Sequence, residues 1–350
     1  TVYSEAGGYS GYSYIRLRGI DQTRLNITVD GVPLNDPEDQ VLYFSNVAGL
    51  LQSVQSVQIS RGVGASSFGT ASYAGSLNVQ SLSLAMAPRH GDVQLVGGSY
   101  STQGITAQYA TGITPGGFAA YGRVTAQRTD GYRHHSGNEA KSTYLSAGWF
   151  GDRDALKLSG FAGLSGTHMA YYASPESVLR SDPQDNPLST AEGDLFHQEM
   201  ASLQWTHAFT DGIRTTLTTY RNSAAGAYDV NFGSGPYANY ALAHVWLGAI
   251  GTLQVARDAW TLDAGFHVSD YHREHALAMR PTLTSRLYDN AGYKQEQSAF
   301  GKVGYTTGDW RFAADVQLRR AAFQYHPSVG AGISPFGTDW TFLNPKLSVA

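Results

Sequence analysis

Cysteine is absent from all 350 residues, which excludes disulfide staples and thiolate metal sites. Charged residues are scarce at 15%, and the net charge is only −4. No broad basic surface is available for nucleic acid. Long apolar runs are missing too: the most apolar stretch, "ALAHVWLGAIGTLQVA", is interrupted by His244 and Gln254. A helical membrane span of about 18 or more apolar residues is therefore not expected, although a β-barrel would leave no such run. Helix-forming segments are sparse. No Gly-x-Ser-x-Gly elbow, zinc-helix motif or nucleotide fingerprint stands on suitable secondary structure, so the chain is read as a non-enzyme without a cofactor.

What the chain does have is glycine and aromatics, with 40 Gly, 22 Tyr and 6 Trp. Such a mixture marks strands joined by turns. From about His90 onward, two-periodic segments alternate with turns. In "WRFAADVQLRR", Trp310, Phe312, Ala314, Val316 and Leu318 share one face, opposite Arg311, Asp315, Gln317 and Arg319. "WTLDAGFHVSD" sets Trp260, Leu262, Phe266 and Val268 against Asp263, His267 and Ser269. Each is a strand with one apolar and one polar face. Twelve segments of this kind begin near Asp92, Ile105, Phe118, Ser142, Ala155, Phe196, Ile213, Leu242, Trp260, Ser298, Trp310 and Phe342.

The connections carry a second periodicity. Short turns at 115–117, 151–154, 210–212, 257–259 and 307–309 alternate with long polar connections such as "SPESVLRSDPQDNPLSTAEGD". All short turns then fall at one end of an up-and-down sheet and all long loops at the other, as in outer-membrane barrels. Phe118, Trp149, Phe150, Phe209, Trp260 and Trp310 crowd the short-turn end, where a headgroup-level girdle would sit. A soluble β-sandwich is the alternative. It would have to bury Arg311, Asp315, Gln317, Arg319, Asp263, His267 and Lys302, at several kcal/mol for an unpaired charge. Against a wet lumen those residues cost little.

Residues 1–87 differ in kind. Short strand-like pieces, "YIRLRG", "RLNITVDG", "VQSVQISRG" and "GSLNVQS", are separated by Gly-rich or acidic turns, and "SNVAGLL" suggests a helical turn. The reading is a small mixed α/β domain at 1–87 followed by a β-barrel at 88–350. The opening "TVYSEAGGYS" has no signal-sequence pattern, and the closing "LNPKLSVA" stops inside an alternating pattern, so a piece cut at both ends is expected.

Three segments in order carry a family likeness. They are "YIRLRGID", with Leu17, Arg18 and Gly19; "LNITVDGVPLND", with Asp30 to Pro33; and "VQSVQISRGVGASSFGTASYAGSLNV", with Arg61, Gly62, Phe68, Gly69, Gly75 and Asn78. Together with the alternating region that follows, the chain resembles the TonB-dependent receptors of Gram-negative outer membranes. The resemblance implies a plug domain inside an antiparallel barrel of about 22 strands, of which about half would be represented here. Gln55 and Gln58 stand where the family's segment usually has glutamates, which puts any charge-relay role there in doubt.

By the same resemblance, Arg18 and Arg61 would tie the plug to acidic residues of the barrel wall, although an ordinary plug salt bridge is the plainer reading. Ligand contacts would come from two plug loops: Tyr3, Tyr9 and Tyr12 on one, and Asn35, Asp36, Glu38, Asp39 and Tyr43 on the other. Gly19, Gly31, Gly62, Gly69 and Gly75 would be the plug's turn glycines. The implied partners are TonB, reached through a box upstream of Thr1, outer-membrane lipid, and a small-molecule ligand such as a metal chelate. The implied function is energy-coupled uptake of a scarce nutrient, most simply an iron–siderophore-type chelate, at the cell outer membrane. A passive porin or an adhesin of similar architecture is the runner-up.

Metal binding finds less support. Asp36-Pro37-Glu38-Asp39 lacks a calcium-ligand spacing and reads as a solvated turn. His134-His135 and His272-Arg273-Glu274-His275 are expected in outer loops, where adjacent histidines chelate poorly.

Overall fold

Extended chain with alternating polarity needs two partners: neighbouring strands for its backbone and a cover for its apolar face. In the computed structural model, which describes residues 2–5, 10–61, 74–188, 191–231, 235–330 and 332–350, the first requirement is met by one large sheet. Its strands are β8 (His90–Gly98), β9 (Thr102–Ala110), β10 (Phe118–Thr129), β11 (Asn138–Phe150), β12 (Asp154–His168), β13 (Gly193–Thr210), β14 (Ile213–Val230), β15 (Ala238–Arg257), β16 (Trp260–Met279), β17 (Arg286–Thr307), β18 (Trp310–Val329) and β19 (Phe336–Val349). The twelve strands lie in sequence order, each antiparallel to its neighbours.

Tight connections at 151–153, 211–212, 258–259 and 308–309 share one end of the sheet, and the loops at 130–137, 169–192, 231–237, 280–285 and 330–335 share the other. The expected alternation holds from β10 onward. It is weaker before that, where 99–101 is a short connection on the long-loop side. Starts expected at the tight-turn end agree with the structure at Phe118, Ile213, Trp260 and Trp310. Starts expected at the long-loop end fall late, most of all at β17, which begins at Arg286 rather than near Ser298. There the strands run on into polar sequence, where both faces are hydrophilic and the period-2 signal fades.

The convex face is apolar, with Trp260 55%, Phe266 44%, Trp310 59% and Val316 46% exposed. Of the six aromatics expected at the tight-turn rim, Phe150 departs: it packs against the interior cluster. The concave face holds a row of large side chains in direct cross-strand register: Arg123, Tyr144, Phe161, Met200, Asn222, Trp246 and Tyr271. All seven are buried. The expectation of a wet concave face therefore fails at this level, because another part of the chain covers it.

That cover is the N-terminal region. Strands β1 (Val2–Ser4), β2 (Ser13–Leu17) and β3 (Ile20–Asp21) form a small antiparallel sheet, and β4 (Leu25–Val29), β5 (Val32–Pro33), β6 (Val54–Arg61) and β7 (Gly75–Ser81) form a second, mixed sheet in which β4 and β7 run parallel. The expected helical turn is realised as two 3-10 turns, at Phe44–Asn46 and Leu50–Ser53. Arg18-Gly19 and Asp30-Gly31 are two-residue hairpin turns with positive φ at both residues, as the right-handed twist of the flanking strands demands. Leu25, Ile27, Val29, Leu34, Leu42 and Leu50 form one continuous cluster with Tyr144, Phe161, Met200 and Trp246 of the large sheet. The N-terminal region is thus seated against the inside of the strand wall.

Close seating needs a missing side chain. A Cβ added to Gly163 on β12 would lie 1.8 Å from the carbonyl oxygen of Asn46, so backbone meets backbone at this point.

Candidate functional site

The segment after β5, Asn35 to Gln40, is held by its own side chains. Asn35 Oδ1 accepts from the Ile27 N–H at 2.7 Å, and its Nδ2 donates to the Gln40 carbonyl at 2.9 Å. Asp36 Oδ1 accepts from the backbone N–H of Glu38 at 2.8 Å. These local bonds, typical of Asn and Asp in turns, fix which way the remaining carboxylate oxygens point.

They point at the wall. Tyr271 Oη donates to Asp36 Oδ2 at 2.8 Å, Arg273 Nη1 to Asp36 Oδ1 at 3.0 Å, and His244 Nδ1 lies 3.1 Å from Asp36 Oδ2. Arg273 Nη1 also reaches Asp39 Oδ2 at 3.1 Å, His275 Nε2 lies 2.8 Å from Glu38 Oε2, and Lys294 Nζ donates to the Pro37 carbonyl at 2.7 Å. Burial alone would raise the Asp36 carboxyl. The His244 hydrogen bond and the Arg273 charge outweigh it and hold Asp36 well below the usual carboxylate range. Asp39 goes the other way, pushed up by burial and then by the Asp36 charge.

Two further ties lie away from this cluster. Lys157 Nζ on β12 donates to Asp30 Oδ2 at 2.9 Å and to Ser81 Oγ at 2.7 Å. Arg123, 1% exposed, donates from Nη1 to the Ala48 carbonyl at 3.2 Å, and Ser142 Oγ donates to the same carbonyl.

Beside the Asp36 cluster, at the long-loop end, lies a cavity of about 480 Å³ between the N-terminal region and the wall. Its lining includes Tyr12, Tyr14, Tyr43, Tyr171, Tyr228 and Phe196. Tyr12 Oη donates to Asp194 Oδ2 at 2.5 Å and its ring meets that of Tyr43 edge-on, while Tyr14 Oη donates to Glu5 Oε1 at 2.7 Å. Burial pushes the Tyr12 and Tyr43 phenols up, so both are neutral donors at ordinary pH. The size and the aromatic lining suit a small molecule.

The structure sorts the expected contact residues into three places. Tyr12, Asp36, Asp39 and Tyr43 line the cavity. Glu38 and Asn35 are engaged in the ties just described. Tyr3 is elsewhere, stacked on Tyr14 with ring centroids 5.1 Å apart. Tyr9, Gly62 and Gly69 lie outside the described residues. Gly75 has φ +146°, and a Cβ there would sit 2.2 Å from the Ser60 carbonyl oxygen. Arg18 occupies its exposed hairpin turn and Arg61 the exposed end of β6, neither within ion-pair distance of an acidic side chain among the described residues.

Sequence reading missed the residues on the wall: Tyr271, Arg273, His275, His244, Lys157 and Arg123. For three of them a signal was present. His267, Tyr271, Arg273 and His275 share one parity on β16, but the segment 272–275 is expected in a loop, whereas β16 continues to Met279. Continuing the alternation would have aimed Arg273 and His275 inward. The outward pair separates from them, His272 stacking on Tyr293. His135 stacks on His168, and no group of three or more metal-ligating side chains is assembled among the described residues.

Residues 1–76 match the family model of the TonB-dependent receptor plug domain. Among solved structures, the chain is similar to the ferric citrate transporter FecA in its unliganded form, at 11% identity and TM-score 0.80, covering 100% of this chain and 55% of that one. It is similar to the ferric yersiniabactin uptake receptor FyuA from Yersinia pestis, at 17% identity and TM-score 0.69, covering 97% and 55%. The copper transporter OprC aligns at 14% identity and TM-score 0.77, covering 97% and 54%. No curated protein matches in sequence. The chain thus carries a TonB-dependent receptor plug followed by strands with the barrel fold of these receptors, and it spans about half the length of the structures it matches.

Proposed function

We propose that the full-length protein is a TonB-dependent outer-membrane receptor that imports a scarce small-molecule nutrient, most simply an iron–siderophore-type chelate. The observation that carries this reading is the plug seated against the inner wall through the Asp36 cluster, with an aromatic cavity on its long-loop side. A plug packed against Tyr144, Phe161 and Met200 obstructs passive passage, so the reading favours gated import over a porin. Transport, not catalysis, is the role of the receptors with this plug. The ferric citrate transporter FecA and the ferric yersiniabactin receptor FyuA support iron; OprC, a copper transporter, keeps other metals in play.

Membrane embedding has its own support on the convex face. From Phe118 to Ala126, Trp260 to Val268 and Trp310 to Leu318, the outward side chains carry no charge, and the first outward charges, Arg128, Asp270 and Arg320, end the three intervals. Each interval is about ten residues, which on tilted strands spans roughly 25 Å, the height of an outer-membrane barrel's apolar band. TonB is the proposed periplasmic partner, and Arg18, Arg61 and the Asp36 cluster are the proposed plug–barrel coupling residues. The test is uptake of radioactive iron and growth under iron limitation in a deletion strain, complemented with and without functional TonB. Loss of both on deletion, restored only with TonB, is expected. Uptake unchanged by deletion for iron, copper and cobalamin alike would sink the proposal.

A further inference from the structure

Beside its aromatic, aliphatic and amide lining, the cavity carries more carboxylates than permanent cations. Glu5, Asp36 and Asp39 line it against one guanidinium, that of Arg273. Arg273 is already committed, with Nη1 3.0 Å from Asp36 and 3.1 Å from Asp39. The lining histidines are committed as well, His244 to Asp36 and His275 to Glu38. Just behind the lining, Asp194 adds a carboxylate at Tyr12. Of the other nearby cations, Lys294 donates to the Pro37 carbonyl, and Arg133 spends its donors on the carbonyls of Ala170, Tyr172 and Asp185 in the 169–192 loop. Burial pushes the Glu5 and Asp39 carboxyls up, against the opposing pull of Arg133 on the first and Arg273 on the second.

From this arrangement, and resting on the import reading above, we infer that the cavity selects a cationic or neutral chelate and rejects polyanionic ones. An ammonium or similar group on the ligand would face Glu5 and Asp39, and tyrosine rings would supply cation–π and flat apolar contact. A polycarboxylate complex of the ferric citrate type would bring its charge against carboxylates with no free cation among the described lining residues to meet it. The charge class of the ligand therefore differs from that named for FecA, despite the shared fold.

These 350 residues hold no cysteine, so with any cysteine elsewhere in the full-length protein replaced by serine, the local potential can be read at one introduced thiol. A single cysteine replaces Met169, a cavity-lining residue, in the full-length protein in outer-membrane vesicles. Its reaction rates with a cationic and an anionic methanethiosulfonate are compared with those of a free thiol in solution. Any shift in the thiol's own ionisation affects both reagents alike and cancels in the ratio. The expected result is a cationic preference about tenfold above the free thiol, falling with salt and collapsing in the Glu5→Gln/Asp39→Asn background. A ratio equal to that of the free thiol, or reversed, overturns the inference, as does a preference that survives the two neutral substitutions. None of these outcomes depends on TonB or on iron uptake, so a failed import assay and a failed charge assignment remain separate results.

Discussion

Asp36 on the plug and Arg273 on the wall stand 3.0 Å apart, each no more than 10% exposed, although 237 positions separate them in sequence. Tyr271, two residues before Arg273 and on the same face of β16, donates to the same carboxylate. A carboxylate with two local backbone donors and three wall partners is a rigid tie.

Removing Arg273 leaves Asp36 buried without its permanent cation. Arg273→Ala should weaken plug seating by about 3–5 kcal/mol, the usual cost of breaking a buried pair from one side. Amide hydrogen exchange of residues 25–50 in the full-length protein reports it. Protection unchanged from wild type would remove Asp36–Arg273 from the coupling machinery.

Acid should act on the plug in two opposite stages. Asp39 and Glu5 have folded values above the ordinary carboxylate value near 4, so the folded state takes up protons first and plug stability rises as pH falls towards that value. Asp36 has a folded value below it, so its contribution is complete above about pH 4 and is lost as pH falls further. Urea midpoints for plug release should therefore peak near pH 4, and Asp39→Asn should flatten the upper limb only. A steady decline from pH 7 downward would contradict the assignment.

Gly163 admits no side chain. With the Asn46 carbonyl oxygen 1.8 Å from the place of a Cβ, Gly163→Ala should push the Phe44–Asn46 turn off the wall. Gly166→Ala on the same strand, whose nearest neighbour would be 3.6 Å away, serves as the control. Limited proteolysis of the plug should rise for the first and not for the second.

Lys157 and Asp30 form a tie of their own at the Asp30-Gly31 turn. Their side chains are 18% and 19% exposed, so a double-mutant cycle with Lys157→Met and Asp30→Asn should give a coupling of about 1–3 kcal/mol. Additive effects would show that Ser81 alone holds the turn.

Leu203 lies on the convex face in the middle of the apolar band, whereas Gln204 faces the interior. Leu203→Arg should cost about 2–4 kcal/mol in bilayer stability, and Gln204→Arg far less. Equal costs, measured by reversible unfolding in liposomes, would mean that the convex face does not meet lipid.

Much of the architecture was legible because its causes are local and repeated. Alternation of polarity assigns each residue of "WRFAADVQLRR" to a face, and the tight turns at 211–212, 258–259 and 308–309 fix the strand starts that follow them. Asp30-Gly31 announces its hairpin. The same logic loses its grip at the long-loop end, where both faces of a strand are polar; β16 and β17 run further than their alternation shows, and β16 holds Arg273 and His275 within a strand rather than a loop.

The resemblance of three segments to TonB-dependent receptors gave the first 80 residues their plug-like reading, whereas the order of strands and their apolar face followed from sequence alone, since each depends on neighbours along the chain. Which plug carboxylate meets which wall residue did not. Arg18 and Arg61 stood in recognisable motifs, yet Asp36, Asp30 and Ala48 make the contacts, with Arg273, Lys157 and Arg123. Those pairings bring together residues far apart in sequence, and nothing in either segment encodes the other's position; only the curvature and register of the wall against the plug bring them within hydrogen-bonding reach.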